Sequence, residues 1–274
     1  RCSRDWSSDV CSSDLTAATG YGVDKVSVFL DSVARFCPDT RVYVIQNETD
    51  LPVFRELSAR YPFVERVLFA RRSRVARKFW YLLAKLSGIV SRSYKESTPA
   101  ERARILRYLH IAVARFPLAL ELLERLGPAV ENVMLADSRD VVLQSDPFAR
   151  IRDSLITGLE PRTIGACTQY NAKWIRMIYG KAGLAELADK PVICSGVTLG
   201  PAHRIKEYLL AMCGEIWENL ASLKLSFIYQ ALHNHLLHHD GFPAELTAND
   251  GRYLVTLHHQ DPGTFVLERG CLLL

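Results

Sequence analysis

The stretch Glu131-Asn132-Val133-Met134-Leu135-Ala136-Asp137-Ser138-Arg139-Asp140-Val141-Val142-Leu143-Gln144-Ser145-Asp146-Pro147-Phe148 decides the fold. Its apolar run, residues 133–136, reads as a short strand buried on both faces. The run ends in two acids, Asp137 and Asp140, that flank Arg139. Acids at the tip of a buried strand fall where open α/β sheets bind ligands, beyond the carboxyl ends of the strands. A hard cation such as Mg²⁺ or Mn²⁺ takes oxygen ligands there and commonly holds a diphosphate too. A strand followed by an acidic turn with no ligand fits the same residues.

Outward from this stretch the chain alternates helix and strand. Val23–Phe36 has apolar residues at helical spacing and ends before Cys37-Pro38, since proline disfavours helix at the residue preceding it. Arg41–Gln46 is rich in β-branched residues and reads as a strand. Residues 51–61 read as a helix with Pro52 in its first turn, and 63–69 as a strand. This order predicts an α/β fold with a mostly parallel sheet and helices on both faces. Thr98-Pro99-Ala100-Glu101 has the form of a capping box and starts a helix running to about residue 115. Pro117 then bends or restarts it. Further on, 163–168 reads as a strand, 170–179 as a helix, 191–200 as a strand, 202–220 as a helix and 253–259 as a late strand.

Residues 71–78, mostly cationic, fit either the solvated face of a helix or a loop facing phosphates. Leu82, Leu83 and Leu86 continue the pattern as an amphipathic helix packed on a core. Residues 5–15, Asp5-Trp6-Ser7-Ser8-Asp9-Val10-Cys11-Ser12-Ser13-Asp14-Leu15, resemble a translated sequencing adapter. Residues 1–15 are therefore set aside from the fold. One domain is expected over residues 16–274, cut short at both ends and with its first strand missing.

At 274 residues the chain is long enough for one large α/β domain. Its net charge of +4 suits polyanionic ligands without implying nucleic acid. No run of about 18 apolar residues occurs, so no membrane span is expected. The cysteines form no CxxC pair, and a reducing, cytoplasmic compartment is the expectation.

The acidic stretch resembles the DxD region of nucleotide-sugar glycosyltransferases with the Rossmann-like GT-A fold. Registered on Asp146-Pro147-Phe148, the second Asp of that motif falls on Asp140. The first falls on Ser138, a departure for which Asp137 can substitute. A subgroup with Asp-x-Arg-Asp is the nearest pattern. The resemblance implies that Asp140 binds Mn²⁺ or Mg²⁺ and that Asp137 contacts ribose or metal. Arg139 sits among the donor-binding residues. It implies that Thr19, Gly20 and Tyr21, in the loop before the first helix, touch the nucleotide base. It also implies that Arg115 reaches the nucleotide.

Residues 191–200 resemble a late strand of the same family that borders donor sugar and acceptor. Ser195 is its hydroxyl donor, and Gly196 permits close approach. Gln230, His233 and Asn234 match a further conserved pattern of that family, with Tyr229 where an acid is usual. Gln230 and His233 are accordingly expected at the catalytic pocket. The histidine cluster does not have the His-Glu-x-x-His spacing, and His233 and His235 point to different helical faces, so a zinc site is not the expectation. The implied partners are a nucleotide-diphosphate sugar and a glycan, lipid or small-molecule acceptor. Competing readings are a binding protein without turnover, or a metal-dependent phosphoryl-transfer enzyme.

Overall fold

A computed structural model describes residues 11–87, 93–139, 141–220, 228–249, 253–255, 266–268 and 271–273. Strands β1 (Cys11–Ala17), β2 (Arg41–Gln46), β3 (Val64–Leu68), β4 (Val130–Ala136), β5 (Ile156–Thr163), β6 (Pro191–Pro201) and β7 (Glu245–Thr247) form one sheet. Their order across it is β3-β2-β1-β4-β6-β5-β7. Only β6 runs against the other six strands of this sheet. Its reversal brings the Ser195–Gly196 end to the carboxyl edge of β4, with Ala136 opposite Val197. A separate hairpin pairs β8 (Val266–Glu268) with β9 (Cys271–Leu273).

The helices are α1 (Val23–Phe36), α2 (Leu51–Arg60), α3 (Arg74–Ser87), α4 (Pro99–Leu106), α5 (Ile111–Leu126), α6 (Asn171–Leu187), α7 (Ala202–Glu218) and α8 (Tyr229–His238). Alternate strand residues feed two cores, as the two-residue period of a strand requires. On one face Leu15, Tyr43, Ile45 and Val133 pack with α5, α7 and α8. On the other, Val42, Val44 and Met134 meet Val26, Phe29, Leu30 and Val33 of α1. Phe29 and Leu30 are fully buried, and each contributes about 1.5–3 kcal/mol of hydrophobic stabilisation. The predicted α/β sheet with helices on both faces is therefore the observed one.

Five expectations differ in detail. The first strand is not missing: residues 11–15, set aside as adapter-like, form most of β1 between β2 and β4. β1 therefore carries Asp14 beside Val42 and Met134, fully buried, with neither carboxylate oxygen hydrogen-bonded. The helix expected over residues 98–115 is two helices. Thr98 caps α4 through its bond from the Glu101 N–H (3.2 Å), and the Glu101 carboxylate accepts from the Thr98 N–H (2.8 Å). His110 then caps α5, its Nδ1 accepting from the Ala112 N–H, so the break precedes Pro117, which lies inside α5.

The strand expected at 163–168 lies earlier, as β5, because Gly158 and Pro161 disguise a stretch that pairs with both β6 and β7. In α3 the expected helix forms and Trp80 packs against the core, but Leu82 is exposed; the side chains of Leu83 and Leu86 lie outside the described residues. Of the late strand, Tyr253–Val255 carry no strand pairing, and residues 256–259 lie outside the described residues.

Candidate functional site

Asp137 is the first residue beyond β4, and its N–H donates to the Gly196 carbonyl at 2.9 Å. The reversed β6 thus sets Gly196 against the acid. A Cβ on Gly196 would lie 3.5 Å from Asp137 Oδ2, in ordinary contact, so glycine keeps the space beside that oxygen open. Arg115 reaches the same point from α5. Its guanidinium is ion-paired with Asp137 Oδ1 and donates to the Ser195 carbonyl at 3.2 Å. The ring of Tyr229 lies 4.6 Å from the guanidinium carbon. Burial opposes the charge on Arg115, but the adjacent Asp137 carboxylate outweighs it and holds the group above its usual range.

A polar chain continues from here into α8. Ser195 Oγ donates to Gln230 Oε1 (3.2 Å), and Gln230 Nε2 donates to Glu160 Oε1 (3.0 Å). One turn along α8, Asn234 fixes β6, accepting from the Ile193 N–H (2.8 Å) and donating to the Ile193 carbonyl (2.9 Å). Ser195, Gly196, Gln230, Arg115 and Asp137 are therefore brought together.

On the other side of Asp137, Ser138 is buried and donates to the Ala17 carbonyl at the end of β1 (3.2 Å). The loop 18–22 between β1 and α1 is anchored by Thr19 Oγ1, which donates to the Ile45 carbonyl at 3.4 Å. Gly20 has φ +77°, a left-handed conformation that favours glycine, and its N–H donates to Asp50 Oδ1 (3.3 Å). Arg139 is exposed, 5.9 Å from the Tyr21 ring centre. Thr19, Gly20, Tyr21 and Arg139 thus flank the carboxyl edge on the β1 side.

His233 is placed differently. It is fully buried, and its Nδ1 lies 2.7 Å from Tyr208 Oη. Burial, with Arg115 and His238 adding to it, pushes the imidazole down to about 3. Instead of lining an open pocket, it joins α8 to α7. Asp140, the expected metal ligand, lies outside the described residues.

For the expected cation, Asp137 offers Oδ2, since Arg115 takes Oδ1. Asp146 is committed elsewhere, capping the Phe148 N–H at 2.8 Å. One carboxylate oxygen fits a Mg²⁺ or Mn²⁺ ion that draws most of its ligands from phosphate and water. Among the described residues, neither of two grooves is lined by these site side chains. One of about 430 Å³ sits at the opposite edge, between Val130 and Pro201. The other, about 220 Å³, is lined by Arg72, Arg104, Arg107 and Tyr108.

No family model matches the chain, and no curated protein matches it. The site is therefore read from its own residues. Two of them escaped sequence reading. Glu160 was hidden in the misread β5, and its only signal is an acid between apolar residues. Tyr229 registered as a departure from a motif, whereas it packs over Arg115.

Proposed function

We propose that the protein is a metal-dependent glycosyltransferase that moves a sugar from a nucleotide-diphosphate donor to a hydroxyl acceptor. The carrying observation is the grouping of Asp137, Arg115, Ser195 and Gly196 where the reversed strand meets the carboxyl edge of a parallel sheet. Loop 18–22 and Arg139 offer a wall for the nucleotide, and Tyr21 supplies an aromatic face. Ser195 and Gln230 offer hydrogen-bonding groups to sugar hydroxyls, with Gly196 leaving room for them. Arg115 braces Asp137 and β6, holding the acid in one orientation. A Mn²⁺ or Mg²⁺ ion on Asp137 Oδ2 and Asp140 would neutralise charge on the departing nucleotide.

A second reading is the same fold binding a nucleotide sugar without turnover. It is favoured by the Arg115–Asp137 ion pair, which competes with a cation for the acid, and by the enclosure of His233. The phosphoryl-transfer alternative has less support, because Asp50 is spent on the Asn47 and Gly20 N–H groups.

Thermal unfolding with UDP or GDP, with and without Mn²⁺, tests both nucleotide readings. Asp140→Ala is expected to abolish the Mn²⁺-dependent protection while leaving the unliganded midpoint unchanged; undiminished protection would overturn the site. Release of free sugar from a nucleotide sugar then separates the transferase from the binder.

A further inference from the structure

At the far end of α8 from Gln230, ligand atoms of His235, His239 and Asp240 all lie within 4.8 Å of one another. The two histidines are four residues apart and share a helical face. The turn that follows folds Asp240 back, its N–H donating to the His235 carbonyl at 3.3 Å. His235 Nδ1 is 3.8 Å from Asp240 Oδ2, and His239 Nε2 is 3.9 Å from Asp240 Oδ1. Ligands about 2.0–2.1 Å from a tetrahedral zinc stand roughly 3.3 Å apart, so the two His–Asp pairs must close by about half an ångström and the widest pair by up to about 1.5 Å.

Two further observations point to a cation. His239 Nδ1 lies 2.5 Å from Glu186 Oε1. That arrangement fixes the tautomer with Nε2 as the ligand atom, as outer carboxylates do for metal-bound histidines. His235 Nδ1 is buried without a hydrogen-bond partner and faces both Asp240 and Glu215, the latter at 3.7 Å. The His235 ring stacks on Tyr179 at 3.7 Å, which holds it in place.

We propose that His235, His239 and Asp240 bind a zinc-like divalent cation, with water or Glu215 completing the set. Two imidazoles and one carboxylate suit zinc better than the hard cation of the sheet edge. The ion would tie the end of α8 to α6 through Glu186 and to α7 beside Glu215. Its role is structural: its ligands lie roughly 7–15 Å of helix rise beyond Gln230, and none of them belongs to the proposed nucleotide-sugar site. The competing arrangement is an ion-pair network of protonated histidines with the same three acids.

The test uses tag-free protein stripped by a chelator. Zn²⁺ at a hundredfold excess over its Kd is expected to raise the unfolding midpoint by about 5 °C. Co²⁺ should give the visible absorption of a four-coordinate N/O site. His239→Gln and Asp240→Asn change exposed side chains and should each lose both signals, whereas His203→Gln, at an unrelated ion pair with Asp153, should keep them. No thermal shift, no Co²⁺ band, or responses that survive both substitutions would overturn the proposal. Asp140→Ala should leave the Zn²⁺ response intact, which keeps this site separable from the nucleotide edge.

Discussion

At the scale of single residues, Asp14 is the clearest conflict between sequence and position. A carboxyl group fills a slot in the central strand where its neighbours in register are Val42 and Met134. Burial holds it well above the usual carboxylate range, opposed only in part by the nearby Leu15 N–H, which falls short of hydrogen-bond geometry. A raised acid favours folding in its neutral form. That contribution is fully present below the unfolded-state value of about 3.9 and is lost as pH rises through the folded value. At neutral pH an apolar residue should fit better. Asp14→Leu is expected to stabilise by about 2 kcal/mol, raising the midpoint roughly 5 °C at pH 7.5, with a smaller gain at pH 4. Unchanged melting at both values would mean that Asp14 is solvated. Buried polar Ser13 and Thr16 lie in the same strand, and their hydroxyls too have no partners.

At the scale of elements, the clamp of α8 on β6 matters most. Asn234 satisfies both backbone groups of Ile193, which is fully buried. Asn234→Ala leaves a buried N–H and carbonyl unpaired and should cost about 2–4 kcal/mol, read as a fall in the denaturation midpoint. It should also weaken the proposed nucleotide binding, because β6 carries Ser195 and Gly196; a loss of under 1 °C would show that β6 is held by other contacts.

This element also shows how far sequence reading reaches. Asn234 was visible as part of a pattern, but its partner on β6, 41 residues away, was not. Helix α1 and strand β2 were legible to the residue because their apolar periods are clean and their ends carry proline or polar breaks. β5 was not, since pairing on both sides overrides the poor propensity of Gly158 and Pro161. Within the site, Asp137 followed from the strand that precedes it. The ion pair with Arg115 did not, because nothing local fixes which face of α5 meets the acid. The approach of His239 to Glu186 was equally hidden, as it depends on α6 packing against α8.

At the scale of the whole molecule, buried imidazoles set the acid limit. Burial pushes His233 down to about 3. His110 is pushed down to about 4 by burial, with Arg71 and Arg77 adding to it. A depressed histidine contributes stability above its unfolded value of about 6.5 and loses it as pH falls toward the folded value. By pH 4.5 His233 alone should cost roughly 2–3 kcal/mol. The denaturant midpoint should therefore fall between pH 7 and 4.5, most cleanly in Asp14→Leu, where the opposing acid is gone. A flat profile in that variant would contradict the enclosure of His233.

The order of strands also bears on how the chain is made. β1 is flanked by β2, which follows it closely, and by β4, which pairs Ser13 with Val133 and Thr16 with Ala136 more than a hundred residues later. During synthesis at about 5–20 residues per second, one edge of β1 stays bare for on the order of ten seconds. Loop closure across that span is slow, and an unpaired edge recruits other strands. The nascent chain is thus most exposed to misassembly before β4 leaves the ribosome, and slower translation ahead of residue 130 would lengthen that window.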